Sequence, residues 1–190
     1  MINYRGNKLS VENKNVLKIA KNNQTPFYLY SAKAIKDNFE QFCRVFKKID
    51  PLICFSVKSN SNPKILRILK VLGAGADVVS GGELLKVLNA GISPKKIVFS
   101  GVGKSTDELK MAIKRKILLI NTESYSEIAL INKLSKSSKR KTSIGLRLNP
   151  DIDAKTLGKI STGRAEDKFG LSRKKLIEVC KNIKEFKHIE

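Results

Sequence analysis

The chain reads as an α/β fold, an incomplete (β/α) barrel of about five βα units, on three observations. From Leu52 onward, short β-branched runs alternate with helical patterns, the signature of a parallel sheet with crossover helices. Candidate strands begin at 52, 76, 97, 118 and 142, so the unit recurs every 21 to 24 residues, a spacing that suits a compact barrel. A doubly wound sheet is the rival arrangement. It usually carries a Gly-rich phosphate turn after its first strand, and Lys58-Ser59-Asn60-Ser61-Asn62 has no glycine.

The elements follow in order. Residues 1–50 form a lead-in segment, with a helix-like Val11–Asn22, a strand-like Pro26–Ser31 and a helix-like Ala32–Lys47. Residues 51–190 hold the partial barrel, whose candidate strands are Leu52–Val57, Ala76–Val79, Ile97–Ser100, Leu118–Asn121 and Thr142–Leu148. Amphipathic segments follow them at Pro63–Leu72, Glu83–Asn89, Thr106–Lys114, Ser126–Lys136 and Arg173–Phe186. Ser80-Gly81-Gly82-Glu83 and Ser105-Thr106-Asp107-Glu108 put polar caps and first-turn acids at helix starts. A longer loop, Asn149–Leu171, breaks the period, and a sixth strand begins at His188-Ile189-Glu190. A complete barrel needs eight units and about 250 residues, so the chain is expected to be part of a larger protein. An unclosed barrel leaves an unpaired edge strand and an uncovered interior.

Composition narrows the function classes. A chain of 190 residues is one domain able to bury about 70% of its unfolded surface. No stretch approaches the roughly 18 apolar residues of a membrane span, and Met1-Ile2-Asn3-Tyr4-Arg5-Gly6 lacks a secretory h-region, so a cytoplasmic protein is expected. Cys43, Cys54 and Cys180 are widely spaced with no CxxC pair, which predicts reduced core or helix residues and no metal site. The net charge of +21 raises nucleic acid as a partner. Against that, lysines are spread over most helices, they far outnumber arginines, and aromatics able to stack on bases are few, so no specific nucleic-acid site is expected. Weak, salt-sensitive adhesion to polyanions remains.

Several residues carry candidate chemistry. Lys58 ends the apolar run Ile53-Cys54-Phe55-Ser56-Val57, at the carboxyl end of a strand where parallel sheets place their chemistry. A primary amine losing hydration there becomes a nucleophile able to form a Schiff base; the plainer alternative is a solvated lysine. Asp77 lies within or beside a strand and Glu83 at the next helix start, where both could face the barrel mouth and tune that amine, or serve as a turn acid and a helix cap. Arg147 sits in the apolar strand Ile144–Leu148, so an acidic neighbour or an anionic ligand is expected. Ser100-Gly101-Val102-Gly103-Lys104-Ser105-Thr106 imitates the end of a phosphate loop, but the first glycine of that motif would fall at Val98, inside the strand.

The ordered set SVKSN, GADVVSGGEL, IVFSGVGKS, IGLRLNPDID and ISTGRAEDKFGL, running from about Thr25 to the C-terminus, resembles the diaminopimelate decarboxylases. These are fold type III pyridoxal-phosphate enzymes, related to the ornithine and arginine decarboxylases and to alanine racemase in fold. The resemblance implies an alanine-racemase-like (β/α) barrel with Lys58 as the catalytic residue holding pyridoxal 5'-phosphate as a Schiff base, and Asp77, Glu83 and Arg147 lining the cofactor pocket. It implies loss of carbon dioxide from meso-diaminopimelate to give L-lysine, an amino-acid substrate, and either a homodimer or a complementing C-terminal chain as partner.

The departures also matter. The family's ring-stacking histidine lies in an HIGS motif that His188 precedes by several residues, so His188 is not that ligand. The glycine-rich phosphate loops, the EPGR-like and CESGD-like segments, the substrate tyrosine and the β-domain belong to the part beyond this resemblance, and Leu157-Gly158 stands where relatives often show a histidine. Three readings stay open: a decarboxylase completed by another chain, a non-catalytic remnant, and a small pyridoxal-phosphate-binding protein.

Overall fold

Five parallel strands carry the fold: β4 (Cys54–Ser56), β5 (Gly75–Val78), β6 (Ile97–Phe99), β7 (Leu119–Thr122) and β8 (Ile144–Leu146). They come from a computed structural model that describes residues 2–153, 155, 161–164 and 166–190; Leu157 and Gly158 lie outside the described residues. Each strand pairs with the next in sequence, in the order β4-β5-β6-β7-β8. That order separates the two predicted architectures. A doubly wound sheet reverses its strand order at a switch point, whereas a barrel adds strands in one direction. A sixth strand begins where expected, as Thr142 bridges Ile189 in parallel and Ile144 N–H donates to Glu190 O at 2.9 Å.

Helices α3 (Pro63–Val71), α4 (Gly81–Asn89), α5 (Thr106–Arg115) and α6 (Tyr125–Ser137) return the chain between strands, and α7 (Arg173–Asn182) follows the long loop. Ala76, Val78, Ile97, Phe99 and Ile120 are fully buried and pack on Leu84, Val87, Leu109, Ala112 and Ile131 of the helices. Side chains alternate along a strand, so the intervening Asp77, Val98, Asn121 and Gly145 face the other side, the barrel interior. None of these four is fully buried, because the open sheet covers them on one side.

Three local differences from the sequence expectation have identifiable causes. The apolar run 142–148 is not one strand: at Arg147 the chain changes neighbours, its N–H donating to Thr122 O at 3.1 Å while its carbonyl accepts from Leu171 N–H at 2.7 Å. The following residues, β9 (Leu148–Asn149), pair in parallel with β10 (Leu171–Ser172). In the lead-in, the helix expected from Val11 starts at Val16. Glu12 and Asn13, at φ 48° and 66°, turn β2 (Lys8–Val11) into β3 (Lys14–Asn15), and Asn15 caps α1 (Val16–Lys21). With β1 (Ile2–Arg5) these strands make an antiparallel meander. The strand expected at Pro26–Ser31 finds no partner and stays irregular before α2 (Ala32–Val45).

Candidate functional site at the carboxyl ends of the strands

The turn that carries Lys58 is rigidly built from its own sequence. Val57 is fully buried and anchors a single 3₁₀ turn, Val57–Ser59, closed by Asn60 N–H donating to Val57 O at 3.0 Å. Ser59 Oγ donates to Ser56 O at 2.7 Å, Asn60 Oδ1 accepts from Asn62 N–H at 3.0 Å, and Asn62 caps α3 through Lys64 N–H at 2.9 Å. Each of these short polar side chains satisfies backbone locally, which is why a Ser/Asn run makes a fixed turn here. Lys86 Nζ donates to Ser61 Oγ at 2.9 Å and ties the turn to α4. Lys58 itself is exposed, and no described residue hydrogen-bonds or pairs with its ammonium. The expected loss of hydration is therefore not present: among the described residues β4 has a neighbour only on the β5 side of this sheet, so one flank of the turn is open.

Asp77 lies beside that turn in register, since Ser56 pairs with Asp77 across β4 and β5. Its Oδ1 accepts from Ser100 Oγ at 2.6 Å, and Ser100 Oγ accepts from Asn121 Nδ2 at 3.0 Å, so three successive strands are linked through side chains on the barrel face. Neighbouring Cys54 feels this layer: burial pushes its thiol up, and the Asp77 carboxylate adds to the shift. Cys54 is a poor nucleophile as a result.

Glu83 is half-buried and engaged by the turn before α4. Ser80 Oγ accepts from Glu83 N–H at 3.2 Å while Glu83 Oε2 accepts from Val79 N–H at 2.9 Å. The geometry thus gives Glu83 the helix-cap task. The same S-x-x-E device recurs at Ser105/Glu108 and Ser124/Glu127, so the mouth-side starts of α4, α5 and α6 are built alike. Glu108 reaches across to Gly81 N–H at 2.6 Å and also takes Ser105 N–H, and these backbone donors hold its carboxyl below the usual range.

Arg147 finds the acidic neighbour its strand context demanded. Its Nη1 donates to Glu123 Oε1 at 3.0 Å, and its guanidinium lies 4.7 Å from the Phe169 ring centroid. Glu123, only 6% exposed, also accepts from Gly170 N–H at 2.9 Å through its other oxygen. Gly170 has φ +77°, and a Cβ there would lie 2.8 Å from Arg147 O, so only glycine lets the loop close on this pair. Ser100, Asn121, Glu123 and Arg147 together line a polar cavity of about 260 Å³. Glu123 went unnoticed in the sequence; the signal was an acid directly after an apolar strand, Leu119–Thr122, at the same level as Arg147.

A lysine, two carboxylates and an arginine thus stand at the same ends of parallel strands. Residues 32–190 match the family model described as pyridoxal-dependent decarboxylase, pyridoxal binding domain. The chain belongs to the pyridoxal-dependent decarboxylase family. Among its relatives, a diaminopimelate decarboxylase of Helicobacter pylori is 49% identical over 156 residues, covering 82% of this chain and 38% of the relative. One from Aquifex aeolicus is 42% identical over 170 residues, covering 90% and 40%. The solved structure of the Helicobacter pylori enzyme complexed with L-lysine superposes with a TM-score of 0.89 at 44% identity, over 93% of this chain and 45% of that one. The diaminopimelate decarboxylase of M. jannaschii gives a TM-score of 0.91 at 32% identity, over 100% and 45%. The chain spans less than half the length of the relatives it matches, and the portion matched is a partial pyridoxal-binding barrel. Among the described residues, no helix is long and apolar enough to cross a membrane.

Proposed function

We propose that this chain is the pyridoxal-phosphate-binding portion of a diaminopimelate decarboxylase, removing carbon dioxide from meso-diaminopimelate to give L-lysine in the cytoplasm. The observation that carries the reading is the placement of Lys58, Asp77 and Arg147 at the same ends of parallel strands in a barrel of this family. When bound, the cofactor supplies an electron sink for the carbanion left by decarboxylation. The chain's own residues bind and orient. Lys58 offers an amine on a turn fixed by Ser59, Asn60 and Asn62. Asp77 presents a carboxylate on the adjacent strand, and Glu83 fixes the turn between them and α4. Arg147, held by Glu123 and still 35% exposed, keeps a cation available to an anionic group.

The exposed surface favours a further barrel portion, of this or another chain, covering the sheet. The exposed area is 13,017 Å², against about 9,000 Å² for a closed chain of this mass. A homodimer or a complementing chain would cover that excess; the small cofactor-binding protein of the alanine racemase type is the second reading. Incubation with pyridoxal phosphate, borohydride reduction and peptide mass mapping test the assignment. The expected outcome is one dominant label on Lys58. Label scattered over the many exposed lysines of this basic chain would overturn it. Labelling without carbon dioxide release, even after adding the C-terminal portion of a relative, would favour the second reading.

A further inference from the structure

The barrel-facing side of the sheet carries a side-chain chain whose direction is fixed. Asn121 Nδ2 is a donor without acceptor capacity, so its 3.0 Å contact with Ser100 Oγ takes up an oxygen lone pair of the serine. The Ser100 hydroxyl hydrogen is then committed to Asp77 Oδ1 at 2.6 Å. The chain therefore gives Asp77 Oδ1 a fixed donor and holds the carboxylate in one rotamer. Asn121 is seated by an absence. Gly145 is its register partner across β7 and β8, and a Cβ on Gly145 would collide with Asn121 Oδ1. No positive φ explains this glycine, which leaves close approach as its reason. The backbone after Ser100 is pinned as well, since the buried Lys104 ammonium donates to Gly101 O at 2.6 Å and to Glu127 Oε1 at 2.7 Å.

We propose that Ser100 and Asn121, seated by Gly145, are positioning residues for Asp77: a one-way hydrogen-bond relay over strands β5 to β8 that presents the carboxylate beside the Lys58 turn. The inference rests on the cofactor reading above. It goes beyond that reading by assigning roles to three residues outside the expected pocket set.

Titration of the purified chain with pyridoxal phosphate, followed by its visible absorbance, tests the relay with Lys58→Ala as reference. Ser100→Ala, Asn121→Ala and Gly145→Ala should each weaken apparent affinity by a similar factor, about 3- to 10-fold, the size of one lost hydrogen bond. The Ser100→Ala/Asn121→Ala double variant should lie within about twofold of the weaker single variant, because one relay is broken once. Ser100→Thr, which keeps the hydroxyl, should restore affinity and band position; a residue needed only for folding would not show this recovery. Circular dichroism melts identify any variant that fails to fold, and Gly145→Ala then stands in for Asn121→Ala. A Lys58-dependent band that is unchanged in Ser100→Ala, or a Ser100→Thr variant as weak as Ser100→Ala, overturns the relay alone. No Lys58-dependent band in the unaltered chain overturns the cofactor reading and the relay together.

Discussion

The stretch from β5 to α6 and the lead-in from β1 to α2 are both helical and amphipathic in sequence, yet they are stabilised differently. In the first, α4, α5 and α6 each bury several side chains against a sheet face made of fully buried residues. In the second, neither α1 nor α2 contains a buried residue, although α2 has 14 residues and a polar cap at Ser31. It meets the barrel through Ile35 and Phe39, which pack on Ile65, Leu69 and Ala74. Phe42 and Val45 point away at 53% and 72% exposure, and Tyr28 stands at 89%. An apolar stripe therefore specifies that a helix wants a partner, but not that this chain supplies one. On the barrel side the sheet face supplies that partner, and the repeated S-x-x-E starts fix each helix at its mouth end.

The contrast is sharpest for one side-chain type in two places. Phe99→Ala, at a fully buried site, should cost about 3–5 kcal/mol, whereas Phe42→Ala should stay within about 0.5 kcal/mol. Urea unfolding of both variants measures this, and equal losses would mean the lead-in is covered in solution. Next in size is the buried Lys104–Glu127 pair, with side chains 0% and 12% exposed. Glu127→Gln leaves the ammonium buried without its counter-charge and should cost about 3 kcal/mol. A variant as stable as the parent would show that the Lys104 ammonium does not depend on Glu127 as its counter-charge.

The smallest effect is a pH dependence. Asp167 accepts from Arg164 N–H and pairs with its guanidinium, and these hold its carboxyl down from 3.8 to about 2. A depressed carboxylate stabilises the fold above its unfolded pKa, and that contribution fades as pH falls from about 4 towards 2. Asp167→Asn should lower stability near neutrality and flatten the profile between about pH 4 and 2, so that the two proteins converge at low pH. Acid titration of the two proteins by circular dichroism checks the sign; a steeper fall in the variant would reverse the assignment.

Strand starts near 52, 76, 97, 118 and 142 were legible because β-branched runs and caps such as Ser105 are local signals. The lead-in was less so. Glu12 and Asn13 adopt left-handed backbone that their residue types permit without demanding, and the apolar run at Pro26–Ser31 signals a strand only if an edge lies beside it. At the site, Lys58, Asp77 and Arg147 stood out as charges at strand ends, and the acid expected near Arg147 is Glu123, 24 residues away in sequence. Ser100, Asn121 and Gly145 gave no comparable sign, since each is an ordinary strand or turn residue until three strands are aligned.

Sequence alone determined the period of the βα units, the identity of the helix caps and the presence of an amine after the first barrel strand, because each depends on residues within one turn or one strand of each other. Tertiary structure decided that the strands add in a single direction, that Lys58 is open to solvent on its β4 flank, and that Glu83 is occupied by its own helix start. Those outcomes depend on which backbone and side-chain groups lie side by side across the sheet, and register between strands is set by burial summed over the whole layer rather than by any local pattern.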